Sequence, residues 1–216
     1  MRLTHPLDDV LASRSHVRIL RALDELPDGL LVSARELARR SGLSHPTASS
    51  VLASLGRQGI VLARRAPRAD AFELNRRHVF VEKLRPVFEW ERQLFGEFTT
   101  FIGQAIKRTP GVSEAYLFGS ASRGEMTSTS DIDLAVVVRD TSTITETELA
   151  LDRVADAVRE RFGNRLNVTI GSPSIQQLQR PSRPGHRLWT RIAREGIAVI
   201  DRDRPHEIGG KRSRSA

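Results

Sequence analysis

The 216 residues carry 34 lysines and arginines against 26 aspartates and glutamates, a net charge of +8, with 39% hydrophobic residues and no cysteine. This composition excludes a disordered polymer, disulfides and thiolate metal sites, and the length suits one or two domains of ordinary size. No apolar run approaches the ~18 residues that cross a bilayer, and Met1-Arg2-Leu3-Thr4-His5-Pro6 has no signal-peptide core. The expectation is a soluble, cytoplasmic protein with no membrane partner.

Of the basic residues only Lys83, Lys107 and Lys211 are lysines. Arginine is the better bidentate partner for phosphate and guanine. Basic residues outnumber acidic ones by 13 to 8 over residues 1–80 and by 5 to 2 from Arg202 onward. The excess fits an anionic partner; a compositional preference for arginine fits it equally.

Apolar residues recur at helical spacing from Leu7 to Leu26 and stop at Pro27-Asp28-Gly29. Ser33-Ala34-Arg35-Glu36 reads as a capping box that opens a short helix, which Gly42 closes. Ser44 or His45 caps a second helix with Pro46 in its first turn, burying Ala48, Val51, Leu52 and Leu55. Its other face carries Pro46, Thr47, Ser49, Ser50, Ala53 and Arg57, small or polar groups suited to a major groove. Ile60-Val61-Leu62 and Phe72-Glu73-Leu74 predict a hairpin, with Arg64, Arg65 and Arg68 around its tip for phosphate or minor-groove contact.

This order resembles the winged helix-turn-helix of MarR- and ArsR-type regulators over residues 7–77, through Glu36-Leu37-Ala38, Ser41-Gly42-Leu43-Ser44, Leu55 and Gly59-Ile60-Val61. The resemblance implies duplex DNA as partner and transcription regulation as role, with Ser44, Pro46, Thr47, Ser50, Arg57, Arg64, Arg65 and Arg68 as contacts. A winged fold used only for protein contact stands as the alternative.

Val79 to Ile106 keeps helical periodicity over more than seven turns and holds five of the chain's eight phenylalanines. Packing against both domains explains this; so does the seam of a homodimer on a two-fold DNA site. Pro86 begins the helix or kinks it.

Val112 to Phe118 reads as a buried strand that runs into Gly119-Ser120-Ala121-Ser122-Arg123-Gly124. A polar loop then leads to Ser130-Asp131-Ile132-Asp133 and a second apolar strand. Alternation puts Asp131 and Asp133 on one side. Two close carboxylates repel unless a cation joins them, and an all-oxygen set points to Mg²⁺ (or Mn²⁺). Gly119 permits a tight turn, so backbone amides and the Ser120 hydroxyl approach a phosphate. The combination is a device for in-line phosphoryl transfer from a nucleoside triphosphate.

Leu117-Phe118-Gly119-Ser120, Arg123-Gly124 and Ser130-Asp131-Ile132-Asp133-Leu134 resemble the signature of minimal nucleotidyltransferases of the DNA polymerase beta superfamily, over about residues 100–200. The resemblance implies Asp131 and Asp133 as catalytic metal ligands, with Gly119, Ser120 and Arg123 around the phosphates. It also implies a hydroxyl acceptor on a partner toxin or a tRNA end, as in toxin–antitoxin pairs. The family's third carboxylate belongs on the strand after the next helix, where this chain has Asn167. The alternative is therefore a catalytically weak or inactive, nucleotide-sensing repressor. The expected architecture is α/β (α+β): a winged helix-turn-helix (1–77), a connecting helix (78–108), and a small mixed sheet flanked by helices (109–202). A disordered basic tail (203–216) completes it.

Overall fold

The computed structural model describes residues 13–65, 70–127 and 129–201. The start of the first helix, Arg68 and the basic tail lie outside the described residues. The chain divides into two compact units between Phe95 and Gly96.

The N-terminal unit runs α1 (Arg14–Asp24), β1 (Val32–Ser33), α2 (Ala34–Ser41), α3 (His45–Arg57), β2 (Val61–Arg64), β3 (Ala71–Leu74) and the first part of α4 (Val79–Lys107). Ser33 caps α2, its hydroxyl accepting the Glu36 amide at 3.2 Å, and Gly42 ends the helix in the left-handed region at φ 63°. Only this half of the capping box is seen. The Glu36 carboxylate takes Arg39 at 2.9 and 2.6 Å and Arg40 at 2.7 Å, charge-assisted partners one turn along its own helix. Hydrogen bonds from Arg39 and then Arg40 hold its carboxyl down to about 2.

Ser44 caps α3, and the buried face is Ala48, Val51, Leu52 and Leu55. The strands pair antiparallel in the order β1-β3-β2, Val61 opposite Leu74 and Val32 opposite Phe72. Ile19, Leu23, Leu37 and Leu52 form the core together with Val81 and Phe88 of α4. Each fully buried side chain of that size stabilises by ~1.5–3 kcal/mol. A buried bidentate pair, Arg21 to Glu91 at 2.7 and 3.0 Å, ties α1 to α4. Pro86 lies inside α4, which begins seven residues earlier.

The C-terminal unit continues from Gly96 of α4 through β4 (Val112–Phe118), α5 (Ser120–Arg123), β5 (Ile132–Val138) and a 3₁₀ turn (Thr141–Thr143). There follow α6 (Ile144–Phe162), β6 (Leu166–Gly171), α7 (Ile175–Leu178), α8 (His186–Glu195) and β7 (Ile197–Asp201). The sheet order is β6-β5-β4-β7, antiparallel except for β5 beside β6. β5 is apolar at every position but Asp133 because both its faces are covered. On one face Ala135 and Val137 pack against Ile175 and Leu178 of α7 and Trp189 and Ile192 of α8. Phe98 and Phe101 of α4 meet Phe162 of α6 edge-on, with ring centroids 5.1 and 5.4 Å apart. No described helix is long and apolar enough to cross a membrane.

Candidate nucleotide site and DNA-binding surface

The register of three strands builds the centre of the C-terminal unit. Phe118, the last residue of β4, pairs with Asp133, and Asp133 lies beside Asn167 of β6 in the parallel register. The chain leaves β4 through Gly119 at φ 71°, ψ −139°, a region closed to other residues. A Cβ at Gly119 would also overlap Oδ2 of Asp133. Glycine is therefore required twice, by the backbone and by the carboxylate lying against it. Ser120–Arg123 form a single turn, and the Ser122 hydroxyl donates to the Gly119 carbonyl at 3.1 Å.

Asp131 stands one residue before β5, and the Asn167 amide Nδ2 donates to its Oδ2 at 3.3 Å. Asn167 thus touches one aspartate and neighbours the other, where the resemblance places a third carboxylate. Among the described residues no lysine or arginine forms an ion pair with Asp131 or Asp133, and no three His, Cys, Asp or Glu side chains gather as a metal cluster. Two half-exposed, unpaired carboxylates with an amide beside them fit a divalent cation: hard oxygen donors facing solvent, with charge left to neutralise. Asp131 and Asp133 would hold it.

Arg123 is exposed, and its Nε donates to Glu125 at 2.7 Å. Sequence reasoning missed Asn164, which is buried after α6 and donates to the Ser130 carbonyl at 3.2 Å, fixing the loop that delivers Asp131. A polar residue straight after the helix-ending Gly163 was the available signal.

In the N-terminal unit Pro46, Thr47, Ser50 and Arg57 are exposed on α3. Ser44 is exposed too, but its hydroxyl is engaged by the Thr47 amide at 3.3 Å and the Thr47 hydroxyl at 2.8 Å. Arg64 closes β2 opposite Ala71, and its guanidinium donates to Glu73 at 3.1 and 3.2 Å. Arg65 is exposed beyond the strand end. Between α3 and the hairpin runs an open groove of about 930 Å³, floored by Leu52 and Val61 and rimmed by His45, Ser49, Ala53 and Leu62.

These features define a winged helix-turn-helix joined to a nucleotidyltransferase-fold domain. Residues 13–71 match the MarR family, and residues 101–204 match the family described as Polymerase beta, Nucleotidyltransferase. The chain is a MarR-type DNA-binding domain followed by a polymerase-beta-type nucleotidyltransferase domain.

No curated protein matches the chain. Among solved structures it is similar to a toxin–antitoxin with AMP-PNP at 22% identity and a TM-score of 0.34, covering 48% of this chain and 73% of that one. It is similar at 20% identity to a mutant of the toxin–antitoxin MntA-HpeT, with the same TM-score and coverage. It is similar at 14% identity to TrmBL2, an archaeal chromatin protein with a novel mode of DNA binding, at a TM-score of 0.28 over 80% of this chain and 71% of that one.

Proposed function

We propose that the protein binds duplex DNA through residues 1–77 and a Mg²⁺–nucleoside triphosphate through residues 109–202, with residues 78–108 joining the two. It transfers a nucleotidyl group slowly to a hydroxyl on a partner protein or nucleic acid, a toxin of its own operon being one such partner. The observation that carries this reading is Asp133 seated between Gly119 and Asn167, with Asp131 beside it. Asp131 and Asp133 hold the cation, and the Gly119-Ser120 turn lets the triphosphate approach the backbone. When bound, magnesium neutralises charge on the triphosphate and on the attacking oxygen.

Asn167 favours the second reading, a nucleotide-sensing repressor, over fast turnover. An amide carries no charge to the cluster and cannot accept the proton of an attacking hydroxyl. General-base assistance is worth ~10²–10⁴-fold. Asn167→Asp is expected to raise labelling of an acceptor from radiolabelled triphosphate by at least about tenfold. Brisk turnover by the unaltered protein, with Asn167→Asp neutral or harmful, contradicts the part given to Asn167.

A further inference from the structure

Asp131 is tied to residues 164–167 at three points. The Asn164 side chain donates to the Ser130 carbonyl at 3.2 Å, and the Ile132 amide donates to the Arg165 carbonyl at 2.8 Å. These two bonds fix the backbone on either side of Asp131. The third fixes its carboxylate: the Asn167 Nδ2 donates to Oδ2 at 3.3 Å. Asn167 also lies beside Asp133 across the pairing of β5 and β6. A single amide thus adjoins both aspartates.

Two divalent ions sharing one centre stand about 3.5–4 Å apart and need carboxylate oxygens with lone pairs free for both. Here an N–H already occupies one lone pair of Asp131 Oδ2. To ligate a cation in that place the Asn167 amide must turn over and give up its bond to Asp131. It then sets a neutral oxygen against a carboxylate oxygen, where an aspartate would have brought a full charge and no competing donor. No other described carboxylate stands in for it, since no three His, Cys, Asp or Glu side chains gather. Glu125 is paired with Arg123. Glu195 is paired with Arg194, and a hydrogen bond from that arginine, with the fields of Arg191 and Arg123 added, holds its carboxyl below the ordinary range. Glu146 lies in the first turn of α6, beyond the end of β5 away from Asp133, and Asp201 pairs with Glu114, towards the end of β4 away from Gly119.

We propose that the centre takes one divalent cation with its nucleotide rather than two, and that the Asn167 amide occupies the place of the second. The inference rests on the reading of Asp131 and Asp133 as a Mg²⁺–nucleotide centre and adds its cation count. The two aspartates carry the charge that one divalent ion cancels, so a second would be held by the charge of the nucleotide alone. A pair of ions gives the attacking and the leaving oxygen of an in-line displacement a cation each. With one ion the two oxygens share it, and the centre retains a nucleotide more readily than it turns it over.

The test is equilibrium dialysis of the full chain with Mn²⁺ and a saturating non-hydrolysable triphosphate, counting manganese against protein-bound nucleotide. Electron paramagnetic resonance of the same samples reports whether the bound ions are coupled as a pair. The unaltered protein is expected to hold one Mn²⁺ per bound nucleotide and to show the spectrum of an isolated ion. Asn167→Asp, an exposed position whose change is checked by circular dichroism, is expected to hold two and to show the halved hyperfine spacing of a coupled pair. Two ions per nucleotide in the unaltered protein overturn the inference without recourse to any variant. A count that stays at one in folded Asn167→Asp, with nucleotide still bound, overturns the part given to Asn167. Failure of the unaltered protein to bind nucleotide at any Mn²⁺ concentration removes the underlying reading instead, and the inference with it.

Discussion

At Gly119 a methyl group meets two obstacles, a backbone region closed to side chains and the Asp133 carboxylate. Forcing an ordinary residue into so sparse a region costs ~1–3 kcal/mol, and any relief displaces Asp133, the residue the site needs in place. Gly119→Ala is therefore expected to lower affinity for a fluorescent triphosphate at least about tenfold while leaving the circular dichroism of the fold intact. Wild-type affinity in the alanine variant would show that Asp133 does not depend on this contact. Asn167 works at the same scale in the opposite sense. Its Nδ2 restrains Asp131 by a hydrogen bond, an order that a third carboxylate supplies only through a shared cation.

At the scale of elements, α3 and the hairpin both carry exposed arginines, but not equally free ones. Arg64 is already bonded to Glu73, whereas Arg57 and Arg65 are exposed with no carboxylate partner among the described residues. Replacing Arg57 or Arg65 by alanine is expected to weaken duplex DNA binding and to flatten its salt slope by about 1 unit each, with Arg64→Ala doing less. The same titration reads stoichiometry. Val79, Pro86 and Trp90 share an exposed face of α4, and two chains per two-fold site is the result a homodimer would give. An unchanged slope in Arg57→Ala and Arg65→Ala removes the surface from DNA recognition.

The elements themselves were legible where one physical signal dominated. Periodicity gave α1 and α4, caps and a buried face gave α3, and the Gly-Ser turn followed by Asp-x-Asp marked the candidate site between β4 and β5. Less local features were not legible. β1 is two residues, and exists because Val32 finds Phe72 across the sheet. The Glu36 carboxylate has two arginines within one turn that outcompete the backbone amide for it.

For the molecule as a whole, among the described residues α3 and the hairpin present Arg57 and Arg65 to solvent, and α8 presents Arg187 and Arg191. Each suits an anionic partner, and the Asp131/Asp133 centre is an acidic spot in a basic protein. A nucleotide, itself an anion, needs a cation to sit there. The most direct measurement is a calorimetric titration of a non-hydrolysable triphosphate into the full chain, with magnesium and with chelator, repeated on Asp131→Ala/Asp133→Ala. Binding is expected with magnesium, and its loss both in chelator and in the double variant. Equal affinity in chelator, or undiminished binding by the double variant, would contradict it.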